Sequence, residues 1–226
     1  MRFLAPLAVV LALAGQSRVA AQPSFDCGSA KLSVERAICR SPTLGALDRE
    51  IAVAYERALA TLPEAMAATL RRTQRAFLAA RDEAHGRPGE DLELRLADRI
   101  AFLGSIETRG RSSIEGSWHD GRGGVEANAR PDGAIDVVIG TSEPVQASWL
   151  CDVVGVGRPG DAPGSWRLDA DPAIDEGWTI ELSIRDGQLM VTSKPPAEGA
   201  AAPFCGAGGT VDGVYLPVRP QTDWIP

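Results

Sequence analysis

Four cysteines, Cys27, Cys39, Cys151 and Cys205, are the first residues in this chain whose type and spacing could carry chemistry. They could ligate a metal, act as a reactive pair, or cross-link the chain. A metal site would want a C-x-x-C or histidine-rich spacing, and neither is present. The compartment decides between the other two. Residues 1–21 begin with Arg2, continue through an apolar run from Phe3 to Gly15, and end on Val19, Ala20 and Ala21. That is the pattern of a secretory leader cleaved after Ala21, with an apolar run too short to span a bilayer. No cysteine follows the cleavage point to take a lipid. In an oxidising compartment an even cysteine count reads as a disulfide framework. Four cysteines allow three pairings. The one that keeps each bridge within its own half joins Cys27 to Cys39 and Cys151 to Cys205. The shorter ring contributes about 3 kcal/mol on loop-closure grounds.

The other residues with chemical potential are sparse. The two histidines are His85 and His119. His85 falls at a predicted helix end, where capping accounts for it. His119 lies in Ser117-Trp118-His119-Asp120, which collects the residue types of a catalytic triad. Neighbours in an extended segment point to opposite faces, so these side chains do not converge. Asp169, Asp171, Asp175 and Glu176 make an acidic run, yet the alternating ligands, central glycine and closing glutamate of an EF-hand are missing. Gly155-x-Gly157 and Gly206 to Gly209 do not open a helix after a strand, as a phosphate cradle requires. These observations predict no catalytic residue, no cofactor and no metal, and a chain that is not an enzyme.

The elements that position these residues change character midway. Ser33 is placed to cap a short helix through Glu35 and Ile38, which Pro42 interrupts. A second helix from about Thr43 carries Leu44, Leu47, Ile51, Tyr55, Leu59 and Leu62 at three- and four-residue steps. A third takes Pro63 into its first turn, carries Met66, Leu70, Phe77 and Leu78, and ends near His85 and Gly86. After the turn Gly86-Arg87-Pro88-Gly89, a fourth from about Glu90 places Leu92, Leu96, Ile100 and Leu103 on one face. The third and fourth helices are expected to form an antiparallel hairpin. From Gly104 to Ser117 the composition turns to Gly, Ser and Arg. Short β-prone runs follow: Val125 to Ala129, Ala134 to Ile139, Val145 to Val156, Ser165 to Leu168, Trp178 to Ile184, Gln188 to Ser193 and Val214 to Val218. Asp132-Gly133 and Asp186-Gly187 mark two hairpins. Pro195 to Pro203 reads as a surface loop. The predicted organisation is α+β in two domains: leader 1–21, a disulfide-stapled helical hairpin or bundle over 22–106, a linker over 107–117, and a small all-β barrel or sandwich over 118–226.

Charge follows the same division. Without Arg2 and Arg18 of the leader, 21 basic and 30 acidic side chains remain, a net charge of −9. Residues 22–110 hold 13 of each sign, so the excess lies from Arg111 onward, with 17 acidic against 8 basic. This disfavours nucleic acid and anionic membranes as partners and permits a cationic protein.

Asp26-Cys27, Val34-Glu35-Arg36-Ala37-Ile38-Cys39, Leu44, Leu47-Asp48, Tyr55, then Gln74-Arg75-Ala76-Phe77-Leu78 with Arg81-Asp82, follow one another in an order that resembles the N-terminal domain of the LprI-type lysozyme-inhibitor family over about residues 25 to 106. Leu150-Cys151, Gly155-Val156-Gly157, Trp166, Cys205-Gly206 and Asp212-Gly213-Val214-Tyr215 resemble, more loosely, a β domain often found with it. Phe77 stands where that family usually has tryptophan. The family's second cysteine pair, between the last two helices, has no counterpart from Glu83 to Leu92, which leaves the hairpin to packing alone. The resemblance implies an exported, periplasmic or secreted protein that binds a cationic, lysozyme-like muramidase and inhibits it sterically. Asp48, Tyr55, Gln74, Arg75, Phe77, Arg81 and Asp82 are its motif residues, suited equally to knitting helices and to touching a partner. Two other readings compete: a cell-envelope binding or scaffold module that inhibits nothing, since one fold serves many targets, and a hydrolase of envelope polymers.

Overall fold

The computed structural model describes residues 22–169 and 177–220. The predicted leader, the segment 170–176 that holds Asp171, Asp175 and Glu176, and residues 221–226 lie outside it. Four helices come first: α1 (Ser33–Arg40), α2 (Pro42–Thr61), α3 (Glu64–Ala84) and α4 (Leu92–Ser105). Eight strands follow: β1 (Gly116–His119), β2 (Gly123–Ala129), β3 (Ile135–Ser142), β4 (Leu150–Pro159), β5 (Ser165–Asp169), β6 (Thr179–Arg185), β7 (Gln188–Lys194) and β8 (Gly213–Val218). Each strand pairs antiparallel with its neighbours in sequence, and β1 pairs with β8, so the sheet closes into a barrel. A closed barrel leaves no free edge, which distinguishes it from the sandwich alternative.

Local chemistry sets the helix ends. Ser33 is the first helical residue of α1 and not its cap. Glu35 instead reaches back to the amides of Lys31 and Leu32, at 2.7 and 2.9 Å, and satisfies two donors at the helix start. Ser41 caps α2 through the Leu44 amide, and Pro42 opens that helix where its missing N–H costs nothing. Asp91 caps α4 through the Leu94 amide. The bridge between Cys27 and Cys39 joins a 3₁₀ turn (Cys27–Ser29) to the end of α1. The closest backbone neighbour of α4 is α2 rather than α3. Ala54 and Ala58 of α2 join Leu44, Leu47, Ile51, Tyr55 and Leu59 in the core it shares with Leu96 and Leu103.

The barrel is filled by its own side chains. Trp118, Val125, Ile135, Val137, Ile139, Leu168, Ile180, Leu182, Leu189 and Tyr215 are buried in one cluster. At one end the cluster is closed by Ile114 and at the other by Val211. Val211 arrives on the long β7–β8 connection, which Cys205 ties to Cys151 of β4. The strand expected from Val145 begins only at Leu150, because residues 143–148 fold around Glu143. Strand β1 falls in the stretch expected to be linker and domain start.

The two parts meet on β8. Alternation along a strand sends successive side chains to opposite faces. Tyr215 therefore enters the barrel core, while Leu216 and Val218 enter the helical core with Met66, Leu70, Phe102 and Ile106. Beyond α4 the chain stays on the barrel. Ile106 bridges to Val218, the Glu107 amide donates to the Pro217 carbonyl at 2.9 Å, and the Arg219 amide donates to the Ser105 carbonyl at 2.9 Å. Arg111 donates to the carbonyls of Glu115, Ser117 and Val218, pairs with Glu107, and stacks 5.1 Å from the Trp118 ring. Gly110 and Gly187 lie backbone to backbone here. A Cβ on Gly110 would fall 2.5 Å from the Gly187 Cα, so neither position accepts a side chain.

Leu216→Ala should therefore destabilise both parts together, by about 2–5 kcal/mol for a fully buried leucine. Trp118, Trp149, Trp166 and Trp178 lie in the barrel part, so in a Trp224→Phe background tryptophan fluorescence reports the barrel, while ellipticity at 222 nm reports the helices. The two signals should move to the same lower melting temperature; a shift in the helical signal alone would contradict the shared core.

Candidate functional site

A cleft of about 760 Å³ opens where the α3–α4 turn, the β1–β2 turn and the β3–β4 loop come together. Each wall has its own local cause. Glu143 folds the β3–β4 loop by accepting from the amides of Val145 and Gln146, each at 2.8 Å, and from the Ser148 hydroxyl. Ala147 in that loop has φ +50°, a conformation the surrounding bonds must hold. Arg95 of α4 donates to the carbonyls of Pro144 and Val145, at 2.6 and 3.2 Å, and pairs with Glu90 at 2.7 Å. Arg87 of the α3–α4 turn donates to Gln146 Oε1 at 2.7 Å and pairs with Glu83. The helical hairpin is thus held at its tip by bonds to the barrel loop, not by packing alone. This corrects the expectation drawn from the missing cysteine pair.

The β1–β2 turn is organised by Asp120. Its carboxylate accepts from the amides of Arg122 and Gly123 and pairs with the Arg122 guanidinium at 2.6 Å. Burial pushes the Asp120 pKa up against these bonds. The imidazole of His119 stands 5.0 Å from the Phe102 ring, and its Nδ1 accepts the Gly121 amide at 2.9 Å. Burial and then the nearby Arg99 charge depress the His119 pKa to about 3, so the ring is neutral at pH 7. Asp120 is committed to Arg122 and Trp118 points into the barrel; Ser117, His119 and Asp120 do not converge. His85 caps the end of α3.

Arg99 forms the base of the cleft. It is only 4% exposed and lies between the rings of Phe77 and Phe102, 5.2 and 4.8 Å from their centroids. Its Nε and Nη2 donate to Gln74 Oε1 at 3.0 and 2.8 Å, and Nη2 also reaches Thr73 Oγ1 at 3.2 Å. No carboxylate pairs with it among the described residues. Burial lowers its pKa to about 9, which still leaves it charged at pH 7.

The motif residues lie mostly between helices. Asp48 of α2 and Arg81 of α3 approach to 3.8 Å with both side chains buried, and Asp48 also accepts from the amide and hydroxyl of Ser24. Arg81 turns its Nε and Nη2 to Asp82, at 2.9 and 2.7 Å. Gln74 and Phe77 hold Arg99, Tyr55 packs against the helical core, and Arg75 is exposed on α3. Of these seven, Phe77 lines the cleft, and Gln74 reaches it only through its bonds to Arg99. Arg99 and the loop 143–148 went unnoticed in the sequence. The signal for Arg99 was its place between Leu96 and Leu103, on the apolar stripe of α4. No group of three or more His, Cys, Asp or Glu side chains suited to a metal occurs among the described residues, and no helix there is long and apolar enough to cross a membrane.

A neutral, half-buried histidine has a pH signature. Unfolded His119 takes up a proton near pH 6.5 and the folded ring only near 3, so the unfolded state binds more protons between these values and stability falls as pH drops through that window. His119→Gln should remove this share of the acid sensitivity. Melting temperatures of the two proteins should differ most in pH dependence between pH 6.5 and 3; parallel curves would mean that His119 titrates normally.

No curated protein and no solved structure matches this chain. A family match covers less than half of it and ends at Ile114, just before β1, so it takes in all four helices together with the segment that ties them to β8. Residues 27–114 are similar to the family whose model is described as Lysozyme inhibitor LprI.

Proposed function

We propose that this protein is exported, loses residues 1–21, and binds a lysozyme-like muramidase so as to block its substrate cleft. The block is steric and involves no turnover and no cofactor. The observation that carries this reading is the match of residues 27–114 to the lysozyme-inhibitor family. Two physical features support it. The disulfides Cys27–Cys39 and Cys151–Cys205 suit an oxidising compartment outside the cytoplasm. The acidic excess beyond Arg111 would attract a cationic enzyme and speed encounter, an effect that salt weakens.

The test is lysis of a cell-wall suspension by a c-type lysozyme, titrated with the oxidised protein from Gln22 to Pro226. Loss of activity should saturate near one protein per enzyme and weaken in higher salt. Full lysozyme activity, with both disulfides verified, would sink this reading and leave the envelope-binding one.

A further inference from the structure

The cleft holds a charge that no carboxylate among the described residues balances. Four guanidinium groups line it, and three carry their own carboxylate: Arg87 has Glu83, Arg95 has Glu90 and Arg122 has Asp120. The fourth, Arg99, is the most buried and has none among the described residues. Taking a cation out of water without a counter-ion is costly. The flanking rings of Phe77 and Phe102 and the acceptors Gln74 and Thr73 recover part of that cost and supply no negative charge. Nη1 has no hydrogen-bond partner among the described residues. It lies beside Gly121, where a Cβ would stand 3.7 Å from it, so the absence of a side chain there leaves this nitrogen uncovered on the cleft side.

We propose that this cleft binds a small monocarboxylate, with Arg99 as the group that pairs with its charge. The volume lies within the roughly 300–1,000 Å³ of small-molecule sites. A carboxylate on Nη1 forms a charge-assisted hydrogen bond, stronger than a neutral one and stronger still out of water. The walls define the rest of the ligand. Ala76, Leu94 and Val145 offer apolar surface to a compact hydrocarbon part. The lining acids select against a second negative charge. Asp91 is occupied as the α4 cap, Glu90 with Arg95 and Glu143 with its own loop, while Asp98 faces the cleft with its pKa raised, chiefly by burial. The depth of Arg99 favours a free small molecule over a side chain on a folded partner. This inference does not rest on the muramidase reading, and its test involves no lysozyme.

Benzoate is the probe and benzamide its neutral isostere. The ¹⁵N-labelled, oxidised protein is titrated with each while the amide signals of Gly121 and Gly123 and the Arg99 Nε signal are followed. Benzoate should shift these signals saturably, and benzamide should bind at least tenfold more weakly. Arg99→Gln should abolish the preference. Because that variant removes a buried group and could unfold the helices, Ala76→Trp serves as the second: Ala76 is an exposed helix position on the cleft wall, and the indole should fill the site and eliminate the benzoate shifts. Equal binding of benzoate and benzamide would overturn the proposal, as would benzoate shifts that survive in Ala76→Trp.

Discussion

The structure turns on a single strand with two buried faces. A strand at a protein surface normally buries alternate residues and wets the others. In β8, Tyr215, Leu216, Pro217 and Val218 are all buried, because the barrel takes one face and the helices take the other. Neither core is complete without it. The barrel needs β8 to close against β1, and the helices need Leu216 and Val218 to cover Met66, Leu70 and Phe102. Between Ile106 and Ile114, Glu107, Gly110 and Arg111 serve that joint. Arg111 collects three carbonyls, a carboxylate and an aromatic face that would otherwise be left without partners where the chain passes from helix to barrel.

Seen from this joint, the cleft is a by-product of geometry. Helices laid on a barrel wall touch it along a line and diverge from it near the barrel rim. The divergence is bounded because Arg87 and Arg95 anchor the β3–β4 loop to the hairpin tip. Charged groups in that gap are held by local partners, and the energetic logic is the same at each: a buried ion is tolerated where every donor finds an acceptor. Arg99 departs from the rule by lacking a carboxylate among the described residues, and His119 departs by remaining neutral beside it.

Much of the fold was legible in the sequence because it depends on periodicity and turn chemistry. The stripe Leu44, Leu47, Ile51, Tyr55, Leu59, Leu62 reaches the helical core as its spacing requires, and so does Leu92, Leu96, Ile100, Leu103. The hairpin at Asp186-Gly187 appears with Asp186 and Gly187 both at positive φ. The disulfides followed from parsimony of pairing. What escaped was set by contacts distant in sequence. The segment 107–117 looks like a linker because its Gly, Ser and Arg residues lack a period, yet Arg111 and Gly110 are fixed by Val218 and Gly187. Val145 looks like a strand residue by propensity, and Glu143 overrides it by capturing the loop amides. The cleft was illegible for the same reason: it is built from α4, β1 and the β3–β4 loop, which no local pattern brings together.

The long stretch of chain between the helices and β8 has a consequence for how the protein comes to exist. The helices are made before β8, so during synthesis from the N-terminus the faces of Met66, Leu70 and Phe102 wait for residues 213–218. Until those residues emerge, the nascent helical segment carries an uncovered apolar face and the barrel an open edge, both of which favour association with other chains. A chain interrupted anywhere before Gly213 would lack the cover for its first half as well as the last strand of its second. The integrity of the amino-terminal helices is thus read out by the completion of the carboxyl-terminal strand.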